Sequence, residues 1–180
     1  MAAPKRIVLG SGKLYVSALS NDTMPDTSTL CVDANQLGYI QGGATLTYTP
    51  TFYTAKDDLG VCTKSVLTEE DVTLACGVMT FTGSTLDKLV ATGTVTEDST
   101  SHTRTLKIGG VGQNDGASYA ICFKHEDAVD GDIYVLIKGK NESGFTMSFA
   151  KDQETVINAE FHALSQDSNG TLIQYIEETE

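Results

Sequence analysis

The residues Val8-Leu9-Gly10-Ser11-Gly12-Lys13-Leu14-Tyr15 carry the most suggestive chemistry in this sequence, because glycines ahead of a lysine are the material of a phosphate-binding loop. Such a loop needs G-x-x-x-x-G-K-[ST], so that backbone amides ring the phosphates and a hydroxyl meets the metal. Counting back from Gly12-Lys13 puts Ile7 at the first required glycine, and Leu14 stands at the hydroxyl position. The residues that follow read as a strand rather than the required helix. A glycine hinge entering a strand is the better reading.

Carboxylates are the next candidates. They occur as Asp57-Asp58, Glu69-Glu70-Asp71, Asp130 with Asp132, and Glu177-Glu178. Paired carboxylates serve glycoside hydrolysis or calcium binding. The chain has no tryptophan to stack on a sugar, and no twelve-residue calcium loop ending in glutamate. Asp130-Gly131-Asp132 reads as a hairpin turn. His102, His125 and His162 are dispersed, and no nucleophile elbow, zinc-protease helix or dinucleotide fingerprint accompanies them. Cys31, Cys62, Cys76 and Cys122 lack zinc-ligand spacing. Cys62 and Cys76 could approach one another across a hairpin, but a disulfide is not expected in a reducing compartment. The expectation is a non-enzyme without cofactor or metal.

The formal charge is −12, from 24 acidic and 12 basic residues. That argues against a surface that grips nucleic acid by releasing counterions. It does not exclude a surface past which nucleic acid slides. No apolar run reaches the roughly 18 residues of a membrane span, and the apolar stretch after Met1–Arg6 is too short for a secretory signal. Three Asn-x-Ser/Thr matches (Asn21, Asn141, Asn169) are what chance gives in a threonine-rich chain. The expectation is one domain, made in a cytoplasm.

The elements that must position these groups are mostly strands. Leu14–Leu19 is the first. Residues 20–36 form a polar loop with a short strand segment around Thr29–Val32. From Gly38 the sequence alternates: Ala44, Leu46, Tyr48 and Phe52 share one face, and Thr45, Thr47, Thr49 and Thr51 the other. Pro50 marks a bulge or an edge. Asp57-Asp58-Leu59-Gly60 turns the chain, and the return arm places Val72, Leu74, Cys76 and Val78 opposite Glu69, Asp71, Thr73 and Ala75. The two arms make one long hairpin over residues 39–81, too long to be stable as an isolated ribbon. A helix is predicted over 84–92, with Ser84 as cap, Asp87 in the capping-box position and Gly93 as its stop. A polar loop follows. Further strands are predicted at Arg104–Ile108, over 118–126 and 133–140, at Phe145–Ala150, and over 154–165 and 171–178. The predicted fold is mainly β: an antiparallel β-sandwich or partly open barrel, with one flanking α-helix, the long hairpin and a flexible arm over residues 1–12.

Exposed hairpin edges invite pairing with another copy, and closing copies into a ring removes the edges. The order of Gly10-Ser11-Gly12-Lys13-Leu14-Tyr15-Val16, the segment from Leu37 to Gly60 with its return strand Leu67–Phe81, the helix from Ser84 and the paired C-terminal strands resembles the tail tube (major tail) proteins of long-tailed bacteriophages. The resemblance covers nearly the whole chain by element order and lies mainly in Tyr39–Gly60. It implies a virion structural protein whose hexameric rings stack into a tube, assembled in the host cytoplasm. It also implies a lumen that holds the tape-measure protein and later conducts DNA. Implied partners are further copies of the chain, the tape-measure protein, the tail terminator and distal tail or baseplate proteins, with no membrane. Under this resemblance Thr45, Thr47, Thr49, Thr51, Glu69, Asp71 and Thr73 are lumen candidates. Lys5, Arg6, Lys56, Asp57, Asp58 and Lys64, with the Asn21–Asn35 loop, are candidates for contacts between rings. The inner tube of a contractile tail and an extracellular binding or head-decoration module are the alternatives.

Overall fold

Alternating apolar residues set the strands, and the computed structural model, which describes residues 7–114 and 116–178, shows how they pair. Ten strands form: β1 (Lys13–Ala18), β2 (Gln36–Gly38), β3 (Ile40–Lys56), β4 (Thr63–Val78), β5 (Gly93–Asp98), β6 (Thr103–Ile108), β7 (Tyr119–His125), β8 (Ile133–Asn141), β9 (Ile157–Leu164) and β10 (Ile173–Glu177). Two short helices, α1 (Thr27–Leu30) and α2 (Gly83–Asp87), accompany them. Every pairing is antiparallel.

The main sheet runs β2-β1-β7-β8-β9-β4-β3. β8 is shared: β10 pairs with Ile133–Ile137 and β9 with Lys138–Asn141. The sheet therefore splits along β8 and folds over. Tyr39 alone separates β2 from β3, so the two ends of the strand order are consecutive in the chain, and the sheet curls into a partly open barrel. Gly38 sits at that seam, where a Cβ would run into the Thr80 carbonyl oxygen. Tyr39 N–H donates to Thr80 Oγ1 at 2.8 Å, and Met79 N–H to the Tyr39 carbonyl at 2.8 Å.

The core fills the inside of the curl. Leu14 and Val16 of β1, Ile121 of β7, Ile137 of β8, Phe161 of β9 and Val72, Leu74 and Val78 of β4 pack there with Leu89. A second, smaller cluster lies on the opposite face of β1, β7 and β8, where Tyr15, Ala120, Cys122 and Leu136 are covered by Leu30 of α1. β1 and β7 are thus buried on both faces, which is why Leu14–Val16 and Ala120–Cys122 read as unbroken apolar runs.

Several local expectations are corrected. Thr29–Val32 is no strand: Thr27–Leu30 is one helical turn, and Asn35 Nδ2 donates to the Thr29 and Leu30 carbonyls to hold it. The helix expected over 84–92 spans only Gly83–Asp87. Its cap is Thr82, whose hydroxyl accepts from Thr85 N–H while Thr85 Oγ1 accepts from Thr82 N–H, so Ser84 and Asp87 do not form the capping box. After Lys88 the chain tightens into a turn closed by Leu89 N–H to the Leu86 carbonyl and Val90 N–H to the Asp87 carbonyl, while Lys88 Nζ donates inward to the Val16 carbonyl at 2.8 Å. Gly93 opens β5, in the stretch expected to be a loop. Residues 145–150, expected as a strand, form no ladder: Phe145 and Met147 pack on the core without a neighbouring strand. Cys62 and Cys76 lie at opposite ends of the hairpin, one exposed at the tip and one buried at the base, so they do not meet.

The glycine run also finds its use. His125 Nδ1 is 2.8 Å from the Ser11 carbonyl, and a Cβ on Gly12 would strike the Lys124 carbonyl. The end of the arm is seated against β7, and Lys13 pairs with Glu126 at 2.9 Å. Glu126 also lies 3.4 Å from Lys124, which reaches Asp132 at 2.8 Å. The Lys13 hydrogen bond holds the Glu126 carboxyl below its ordinary range, and Lys124 does the same for Asp132. Carboxylates depressed in the folded state stabilise it above their unfolded pKa, and that stabilisation is lost as pH falls through the folded pKa. The thermal midpoint should therefore decline as pH is lowered below about 4.5. Asp132→Asn should flatten that decline, which a series of melts from pH 6 to pH 3 checks. Among the described residues, no helix is long and apolar enough to cross a membrane.

Candidate functional site

The long hairpin supplies the site. Its arms pair from Ile40↔Val78 to Lys56↔Thr63, with Thr45 opposite Ala75, Thr47 opposite Thr73, Thr49 opposite Asp71 and Thr51 opposite Glu69. Directly opposed residues point to the same side of a ladder. All seven lumen candidates therefore share one face, as the alternation predicts. Two irregularities preserve this arrangement. Gly42 and Gly43, both at positive φ, are the extra residues before Ala44, and Thr68 is the extra residue between Glu69 and Leu67. Thr68 Oγ1 donates to the Thr51 carbonyl at 3.0 Å and pins that second bulge. Pro50 is tolerated because β3 is the outermost strand.

The polar face does not end with the hairpin. β9 adds to β4 over Thr73–Val78, placing His162 beside Thr73 and Glu160 beside Ala75, and β8 then places Lys140 beside His162. Thr47, Thr73, His162 and Lys140 thus form one row across four strands. His162 Nε2 is 3.2 Å from Glu160 Oε1, and its Nδ1 is 4.0 Å from Asp71 Oδ1. Glu160 also accepts from Ser143 Oγ at 3.1 Å, and Lys140 pairs with Glu142 at 3.0 Å. Glu160, His162 and Lys140 escaped the sequence reading, although Asn158, Glu160 and His162 alternate with buried Ile157, Ala159 and Phe161. That alternation was the available signal.

The opposite face of the hairpin changes character along its length. At the base, Val72, Leu74, Cys76 and Val78 are buried in the core, and burial pushes the Cys76 thiol up to about 12. On the same face Leu46 and Tyr48, opposite Leu74 and Val72, are exposed on the outer strand, and beyond them come the exposed pair Phe52 and Leu67, with Phe52 at 59 %. Tyr48 OH donates to Glu70 at 2.7 Å, which raises the phenol pKa. β9 stops pairing with β4 at Thr73, and β3 has no second neighbour. The distal half is therefore a two-stranded ribbon with two open edges: one face runs from Tyr48 through Phe52 and Leu67 to Thr54 and Ser65, and the other from Thr49, Thr51, Glu69 and Asp71 to the exposed pair Tyr53 and Val66.

Neither the comparison with protein-family models nor that with curated proteins returns a match to this chain.

The tip is a tight turn. Asp57 Oδ1 accepts from Cys62 N–H at 2.7 Å, Asp57 N–H donates to the Cys62 carbonyl and Gly60 N–H to the Asp57 carbonyl. Asp57 therefore serves the turn itself. Asp58, Leu59 and Val61 project from it, with Leu59 and Val61 more than four-fifths exposed. Lys56 and Lys64 end the two arms on opposite faces, since Lys56 pairs with Thr63 and Lys64 with Ala55. Lys5 and Arg6 lie outside the described residues. Among the described residues, no three His, Cys, Asp or Glu side chains converge as a metal-binding group.

Proposed function

We propose that this chain is a structural subunit that assembles through its long hairpin into rings stacked as the tail tube of a long-tailed bacteriophage. The observation that carries the reading is the distal ribbon: an apolar stripe continuous with the core emerges into solvent beside two unpaired strand edges. A monomer leaves that stripe wet, whereas full burial of a Leu or Phe side chain is worth about 1.5–3 kcal/mol. Edge pairing between copies satisfies the open backbone groups, and a ring removes every edge at once.

In this reading the hydroxyl-and-acid face turns to the lumen. Glu69, Asp71 and Glu160 repel phosphates, and the threonines offer hydroxyls without net charge, so DNA passes without counterion-releasing contacts. His162 and Lys140 sit at the base of that face, His162 beside Glu160 and Asp71 and Lys140 beside Glu142. The tip residues Lys56, Asp58 and Lys64 and the Asn21–Asn35 loop then meet the next ring. The role is mechanical and electrostatic, with no catalytic step.

Sedimentation at rising concentration tests the reading: rings or polymers support it. A monodisperse monomer at all concentrations, including with tape-measure protein added, contradicts it. For the lumen, Glu69→Lys combined with Asp71→Lys should leave assembly intact while slowing DNA passage, measured as reduced ejection from virions carrying the variant. Normal ejection places those residues elsewhere.

A further inference from the structure

Cys31 and Cys122 are 91 residues apart in sequence, yet their Sγ atoms lie 3.2 Å apart. Cys122 is fully buried in β7, whereas Cys31 is the half-buried C-cap of α1, carried on the polar Asn21–Asn35 loop. Both belong to the second apolar cluster, where that loop covers the outer face of β1, β7 and β8. A covalent bond needs roughly 2.05 Å between the sulfurs, so an approach of about one ångström closes the pair. The loop-borne residue can supply it, because one helical turn and two Asn35 hydrogen bonds hold it rather than a strand ladder.

We propose that Cys31 and Cys122 form an oxidation site, with Cys31 as the attacking thiol and Cys122 as the resolving thiol, whose product is a disulfide fastening the Asn21–Asn35 loop to the central sheet. The proposal stands independently of ring assembly. The roles follow from access and charge. Cys31 is the thiol that solvent reaches. Its thiolate is favoured by the hydrogen bond from the Cys122 thiol and by the Lys124 ammonium nearby, while the same bond and burial hold Cys122 in the thiol form. Cys62 is exposed at the hairpin tip, far from a second thiol of its own chain, and Cys76 is buried without a sulfur partner.

With a small disulfide as oxidant, the Cys31 thiolate attacks one sulfur and forms a mixed disulfide, releasing the first small thiol. Cys122 Sγ then attacks Cys31 Sγ, its proton leaves with the second small thiol, and the protein disulfide remains. Two electrons pass from the two cysteines to the oxidant, which departs as two thiols.

The test uses the full chain, reduced and then incubated with oxidised glutathione, quenched in acid, alkylated under denaturing conditions and mapped by mass spectrometry. The expected product is a Cys31–Cys122 linked peptide, with Cys62 glutathionylated and Cys76 alkylated. The oxidised protein should melt roughly 10 °C higher, the order expected for closing a loop of about 90 residues in a chain of this size. Cys31→Ser should abolish the shift and Cys62→Ser should retain it. Alkylation of Cys31 and Cys122 as free thiols, or a Cys31–glutathione adduct that never resolves, overturns the proposal. The mapping of the natural chain decides the matter even if a variant folds poorly.

Discussion

Phe52→Lys combined with Leu67→Glu should leave the monomer folded and weaken association by roughly 10-fold or more. These residues face each other across the ladder on the exposed apolar face of the hairpin. Opposite charges at directly opposed positions keep the strand pairing favourable, and exposed substitutions usually shift stability by about 0.5 kcal/mol or less. Each copy nevertheless loses two side chains that a ring would bury. Full burial is worth about 1.5–3 kcal/mol a side chain; with Phe52 59 % and Leu67 41 % exposed, about half of that remains at each, so the loss per interface is about 1.5–3 kcal/mol, or roughly one to two decades in the association constant. Sedimentation equilibrium beside a thermal melt reads both quantities. Unchanged association would mean that another surface joins the copies.

Phe161→Ala should do the reverse. Phe161 is the largest fully buried side chain, on β9 opposite Leu74 of β4 and Asn141 of β8, where the split sheet folds over. Removing its ring leaves a cavity bounded by strands from both halves of the curl, which cannot collapse without disturbing the ladders. A cost of about 3–5 kcal/mol is expected, seen as a drop of roughly 10 °C in the melting midpoint. Phe161→Leu should recover much of it. A loss below about 1 kcal/mol would contradict the placement of β9 across the core. Together the two substitutions separate folding from assembly: one side chain lies where the apolar stripe is already covered, the others where it emerges.

The hairpin was legible because alternation over two long arms reports burial directly, and Pro50 marks the outermost strand; the bulge at Thr68 carries no such mark. The seven threonine and acid positions fell on one face for the same reason. Which strand lies beside the hairpin was not legible. β9 and β4 are some 80 residues apart in the chain, and nothing local in Ile157–Leu164 names its neighbour, so Glu160, His162 and Lys140 were missed. Residues 145–150 show the converse, since the alternation of Phe145 and Met147 reports packing on the core but not a ladder, and Phe149 continues it into solvent. Thr27–Leu30 is too short for a helical period, and Thr82 caps α2 with a threonine, not an acid, as its reciprocal partner. The Cys31–Cys122 contact could not be read from spacing, because only the folding of the loop over β7 brings the sulfurs together.

Under the proposed assembly, the wet apolar stripe and open edges of the hairpin are completed by further copies of the same chain. Electron microscopy of the purified protein, negatively stained at rising concentration, tests it most directly. Rings or stacked tubes with a stain-filled channel are expected, and should be lost in the Phe52→Lys, Leu67→Glu chain. Isolated particles of monomer size at every concentration, with tape-measure protein present, would contradict it.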